Sequence, residues 1–221
     1  MTFSIFVSYY LIIKKVKDMR EMRFYGQHGF PDYGISEAET CGTSCFMMAL
    51  DYFGIEFPKK FKEAVYYRKY KVSGEKGTLG SAIAFALSER NLFAKIVHSS
   101  ENYLDNENGY YTEELYQKFL SEHKKYVKKG GFLSETGVKI TCETIKEELF
   151  EEKLVIIQTF IEGNADGIHD KVMHWILIYG FENGNFLVCD PGYGKTKLSE
   201  NELEEFMKTP FGRIYIAVEE K

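Results

Sequence analysis

Apolar positions along the chain fall first at helical and then at strand spacing. From Gly42 onward Cys45, Phe46, Met48, Ala49, Leu50 and Phe53 recur every three or four residues, and Gly54 stops the run. That pattern predicts a largely apolar helix with a glycine cap. Phe57 to Lys71 predicts a surface helix with Phe61, Ala64, Val65 and Tyr66 turned inward. Gly77-Thr78-Leu79-Gly80 opens a third helix, Ser81 to Glu89, and Leu92 to Val97 alternates as a strand. Ser99 to Gly109 is polar and turn-rich. Thr112 then caps a helix to about Lys128, with Leu115, Phe119, Leu120 and Tyr126 on its apolar side and His123, Lys124 and Lys125 on a solvated one. Gly130-Gly131 closes it, and Thr141 or Thr144 caps a helix Ile145 to Glu152.

The last third changes period. Leu154 to Phe160, Met173 to Tyr179, Asn185 to Cys189 and Arg213 to Val218 are continuous apolar runs, separated by turns rich in Gly and Asn. Asn183-Gly184 between two of them is a tight hairpin turn, because both residues accept positive φ. Ser199 to Met207 reads as a short capped helix. Helices first and an antiparallel sheet after them make the fold class α+β. No internal repeat or linker calls for a second domain.

Composition narrows the function classes. At 221 residues, 44% hydrophobic and 28% charged, the chain can bury a full core as one domain. A net charge of -5 gives no reason to expect nucleic acid or a membrane surface as a partner. Four cysteines at irregular spacing, with no Cys-x-x-Cys, exclude a zinc ribbon and a disulfide scaffold and fit a reducing cytoplasm. The apolar stretch Thr2 to Ile13 ends at Lys14-Lys15, short of the roughly 20 residues a spanning helix needs. It lacks the charge order and cleavage site of a signal peptide. Residues 1–21 are accordingly expected to be an N-terminal extension, with Met19 or Met22 as alternative starts, and 22–221 the single domain.

Three residues carry candidate chemistry. Cys41 stands at the mouth of the apolar helix, where the free N–H groups and positive end of the helix dipole favour thiolate over thiol. Gly42 beside it is expected to let a substrate backbone approach. His174 lies inside an apolar strand and Asp190 ends the next, sixteen positions on across the Asn183-Gly184 turn. The hairpin makes them cross-strand or diagonal neighbours. A carboxylate fixes the imidazole's tautomer, and the imidazole then takes a proton from the thiol. Singly, each residue reads as core packing or turn former; together they read as nucleophile, base and orienter. Cys45, one turn inward, reads as packing. Cys189 should point to the sheet face opposite Asp190. Asp166, His169 and Asp170, with His174, resemble a loose metal cluster but fall in a Gly/Asn-rich stretch that reads as a solvated loop.

Thr40-Cys41-Gly42-Thr43-Ser44-Cys45 with its helix to Tyr52-Phe53-Gly54 resembles the nucleophile helix of C39-like cysteine peptidases, in the papain-like clan. Met173-His174-Trp175-Ile176 with Asp190-Pro191 resembles that family's His and Asp strands, and the likeness runs over most of Phe24 to Val218. The resemblance implies a papain-like domain whose nucleophile helix packs on the C-terminal antiparallel sheet. It implies a thiol-dependent peptidase or amidase, acting on a peptide or isopeptide bond through Cys41, His174, Asp190 and a thioester. An acyl or peptidyl transferase with the same triad, or a non-catalytic peptide-binding module, is the alternative. Its partner is a peptide or protein substrate; no metal and no cofactor is implied. The family also places a glutamine about six residues upstream of the nucleophile as an oxyanion donor. Ile35 stands there, so the resemblance transfers that role to Gln27 across an insertion. Read without it, Gln27 is an exposed loop residue.

Overall fold

A computed structural model describes residues 21–27, 39–56, 62–71, 77–103, 106, 109, 111–165 and 168–221. Its elements run α1 (Cys41–Tyr52), α2 (Lys62–Tyr70), α3 (Gly80–Ser88), β1 (Leu92–His98), α4 (Glu113–Lys129), β2 (Leu133–Glu135), α5 (Cys142–Phe150), β3 (Leu154–Ala165), β4 (Ile168–Glu182), β5 (Asn185–Asp190), β6 (Gly194–Ser199), α6 (Glu200–Phe206) and β7 (Ile214–Glu220). The class is α+β, as expected. The seven strands form one sheet in the order β2-β1-β7-β3-β4-β5-β6. Its C-terminal strands are antiparallel, as expected, and β1 and β2 add a parallel pair at one edge.

Two apolar layers sandwich the sheet. On one face α1, α3 and α4 pack with Leu92, Ile96, Trp175 and Leu177; on the other α5 and α6 pack with Val155, Ile157, Ile176 and Val188. Alternation along β4 therefore sends Trp175 to one layer and Ile176 to the other. The helix ends follow local chemistry. Thr112 caps α4 by accepting from the Leu115 N–H, and Thr141 with Thr144 and Ser199 with Glu202 form capping boxes. Gly54 takes a φ of 69° just past the cap of α1.

Several expectations need correction. His123 is buried, because Phe119, His123 and Tyr126 share one face of α4. Strands β3 and β4 pair through Gly163↔Asp170 to Ala165↔Ile168, so His169 and Asp170 sit in strand backbone rather than a loop. Asp166 lies outside the described residues, as do most of the N-terminal extension (1–20) and the Phe57 to Phe61 start of the second helix. Strands β2 and β6 were not expected. Among the described residues no helix is long and apolar enough to cross a membrane.

Candidate active site

Cys41 is the first residue of α1 and is 4% exposed. Thr40 precedes it with no side-chain cap, so the helix mouth keeps its positive end directed at the thiol. Gly42 faces inward, contrary to expectation. A Cβ there would lie 2.9 Å from Ile83 Cδ1 and 3.2 Å from Trp175 Cδ1. Its bareness seats α1 on β4 rather than admitting substrate. Trp175 is held from both sides: its Nε1 donates to the Thr78 carbonyl at 3.0 Å, and Cys45 Sγ contacts its carbonyl at 3.4 Å. Gly80 repeats the close fit, a Cβ there falling 3.0 Å from Trp175 Cη2. His174, next along the strand, inherits this fixed backbone. Thr159, its partner in β3, donates to the His174 carbonyl at 3.2 Å.

The imidazole Nε2 meets Asp190 Oδ1 at 2.7 Å, both groups buried. A β-bulge makes this contact possible. From the turn, Glu182↔Asn185 to Gly180↔Leu187 pair regularly, and the register then shifts to Ile178↔Val188 and Leu177↔Cys189. A regular ladder would set Asp190 opposite Leu177, on the face away from His174. The extra residue, Tyr179, sets it opposite Ile176 and so diagonally across from His174 on the same face. Cys189 turns to the other face, into the apolar layer under α1, as expected.

Asp190 is itself pinned. The Gly192 N–H donates to the same Oδ1 at 2.8 Å, and the Tyr193 N–H donates to the Asp190 carbonyl at 3.1 Å. Sequence reasoning missed Gly192, although Asp-Pro-Gly is an Asx-turn signal that carries this bond. Burial works against charge on His174. The hydrogen bond to Asp190 and then the interaction with Cys41 outweigh it and push the imidazole up to about 10. With Nε2 on Asp190, Nδ1 is the ring atom left for the thiol. The other thiols are unsuited to attack. Burial, then the nearby Cys41, Asp190 and Cys189, raises Cys45 well above a normal thiol, and burial pushes Cys189 up to about 11.

Gln27 lies at this centre rather than on an exposed loop. Its N–H donates to the Pro191 carbonyl at 3.0 Å, and Ser44 Oγ of α1 donates to the Gly26 carbonyl at 3.3 Å. A Cβ built on Gly192 would have Asp190 Oδ1 at 3.4 Å, Gln27 Nε2 at 3.7 Å and His174 Cε1 at 3.8 Å as neighbours. The structure thus gathers Gln27, Cys41, His174 and Asp190 around one helix mouth. No group of three or more metal-ligating His, Cys, Asp or Glu side chains occurs among the described residues.

The sequence model of the Peptidase_C39 like family matches residues 30–213. The chain belongs to that family. Membership supports a peptidase-type function for this C39-like chain. Solved structures similar to it include the peptidase domain of Streptococcus ComA, a bi-functional ABC transporter involved in quorum sensing (12% identity, 91% of this chain and 100% of that one, TM-score 0.47). A double glycine motif protease from an AMS/PCAT transporter, in complex with the leader peptide, is 16% identical over 82% of this chain and 85% of its own, with a TM-score of 0.43. A protein described as a C39-like peptidase from Bacillus anthracis is 14% identical over 91% and 96%, also with a TM-score of 0.43. No curated protein matches the chain.

Proposed function

We propose that the chain is a cysteine peptidase that cleaves a peptide or isopeptide bond by acyl transfer through Cys41. The observation carrying this reading is the buried 2.7 Å contact between His174 and Asp190, with Cys41 near enough to act on the same imidazole. In this reading the His174 imidazole serves Cys41 as its base, and the thiolate is the form that attacks. The thiolate attacks the scissile carbonyl. The Cys41 N–H and the Gln27 carboxamide converge on the oxyanion that develops. Protonated His174 then gives its proton to the departing amine and leaves a thioester on Cys41. The neutral ring next takes a proton from water, and the hydroxide releases the acid.

Iodoacetamide separates this enzyme from a binding module of the same fold. Rapid carboxamidomethylation of one thiol, lost in Cys41→Ala, is expected by intact mass. Uniformly slow labelling of all four cysteines is the result that refutes the reading. Gln27→Ala should lower kcat by about 10²- to 10³-fold with KM little changed, as for loss of one oxyanion donor. A near-normal kcat assigns the oxyanion elsewhere.

Asp190→Asn should be milder than Asp190→Ala. The Gly192 N–H selects an oxygen at Oδ1, so the amide keeps accepting from Nε2 and the tautomer is preserved. What is lost is the charge. Because Asp190 raises the His174 pKa, the alkaline limb of the kcat/KM profile should move to lower pH in Asp190→Asn. An unmoved limb would mean that another group sets it.

A further inference from the structure

The turn carrying Asp190 displays Tyr193 at 74% exposure, and Phe24, at 38%, lies against the segment that carries Gln27. Neither position is loose. Tyr193 sits on a turn fixed by two hydrogen bonds to Asp190, and the Gln27 N–H ties its segment to Pro191. A Cβ on Gly26 would lie 3.5 Å from the Phe24 ring and 3.6 Å from the Pro191 carbonyl, so Phe24 and the turn flank the same strip of backbone. That strip is floored by two glycines, Gly26 and the exposed Gly192. It runs to the Gln27 amide and His174 Cε1, which lie 3.7 and 3.8 Å from a Gly192 Cβ.

We propose that this strip is the subsite for the leaving group, and that Phe24 and Tyr193 grip a large apolar or aromatic side chain on the residue after the scissile bond. The inference rests on the catalytic reading above. The acyl half of a substrate stays on Cys41 at the mouth of α1, whereas the amine departs toward the ring that protonates it. Gly192 adjoins that ring rather than α1, so chain lying over Gly192 is the chain that leaves. A glycine floor lets an extended backbone approach closely, and aromatic side chains on fixed backbone give contact area at low entropic cost.

The test runs the leaving-group step backwards. p-Nitrophenyl acetate acylates Cys41 and releases p-nitrophenolate, which reports thioester formation directly. Phenylalaninamide or glycinamide then attacks the acetyl thioester, forming the N-acetyl amide and returning the thiol. Phenylalaninamide is expected to capture the acetyl group about tenfold more efficiently than glycinamide at equal concentration, the scale of one well-buried aromatic contact. Both amines compete for one acyl-enzyme, so the ratio is independent of how fast it forms. Tyr193→Ala and Phe24→Ala should each bring it toward one. A ratio near one in the unmodified chain, or an unchanged ratio in both variants, overturns the subsite while the catalytic reading stands. Absence of the p-nitrophenolate burst overturns the catalytic reading, and the subsite with it.

Discussion

Cys41→Ala is expected to abolish thiol-dependent turnover, by a factor on the order of 10⁶ as for loss of a covalent nucleophile, while the protein still folds. Cys41 is buried at the helix mouth, but the change to alanine removes a single sulfur atom, and alanine is the best helix former. Stability should stay within about 1 kcal/mol of the starting chain. Cys45→Ala is the matched control. Cys45 is fully buried and its Sγ contacts the Trp175 carbonyl. Its removal should cost on the order of 1 kcal/mol through a small cavity, with turnover largely kept. Parallel kcat and urea-melt measurements on the two variants decide the matter. An inactive Cys45→Ala beside an active Cys41→Ala would mean the wrong thiol was chosen.

The second large effect is acid lability. His98 ends β1 with neither ring nitrogen hydrogen-bonded, and His123 of α4 has Nδ1 without a partner among the described residues. Tyr103 stacks on His123 at 3.6 Å between ring centroids and meets His98 edge-on at 4.7 Å. Burial, then the facing His123, lowers His98 to about 3; burial, then Lys124, lowers His123 to about 4. Unfolded histidines take a proton near pH 6.5. Above that pH the cluster adds no pH-dependent cost; below it the unfolded chain binds two protons that the native one refuses. Stability should therefore fall by roughly 2 kcal/mol for each histidine between pH 6.5 and 5. His174 acts in a different window. Its raised pKa gives stability that is fully present below about pH 6.5 and lost as pH rises toward 10. Glu89, Glu148 and Glu204, held below the usual carboxylate value, lose theirs only near or below pH 4.5. Urea midpoints at pH 7, 6 and 5 check the claim, and His123→Asn should halve the slope. A flat profile would place water or another donor on these rings. The loss would reach the site, because His98 ends the strand whose Ile96 packs on Gly80, where Gly80 meets Trp175.

Much of this was legible in residue order. The apolar stripe after Cys41, the capped helices and the Asn183-Gly184 turn each had a local signal, so element types came through. What escaped was set by partners distant in sequence. Strand β6, Gly194–Ser199, buries only Leu198, and β2 buries nothing, because both are sheet edges with little apolar pattern to read. His123 kept helical phase with Phe119 and Tyr126, but a polar letter beside lysines reads as surface. Gln27 needed its bond to Pro191, far along the chain, to be drawn to the helix mouth.

The bulge at Tyr179 also bears on how chain length can vary. Sixteen positions between His174 and Asp190 have the wrong parity for a regular hairpin with a two-residue turn. The surplus residue absorbs the mismatch. A chain lacking it would keep every pair from Ile178↔Val188 onward, with fifteen positions between the same two side chains. Tyr179 is thus the slot where this hairpin can gain or lose one residue without turning the carboxylate away from the imidazole. Counting residues between a histidine and an aspartate is then a poor guide to whether two related chains share a working pair.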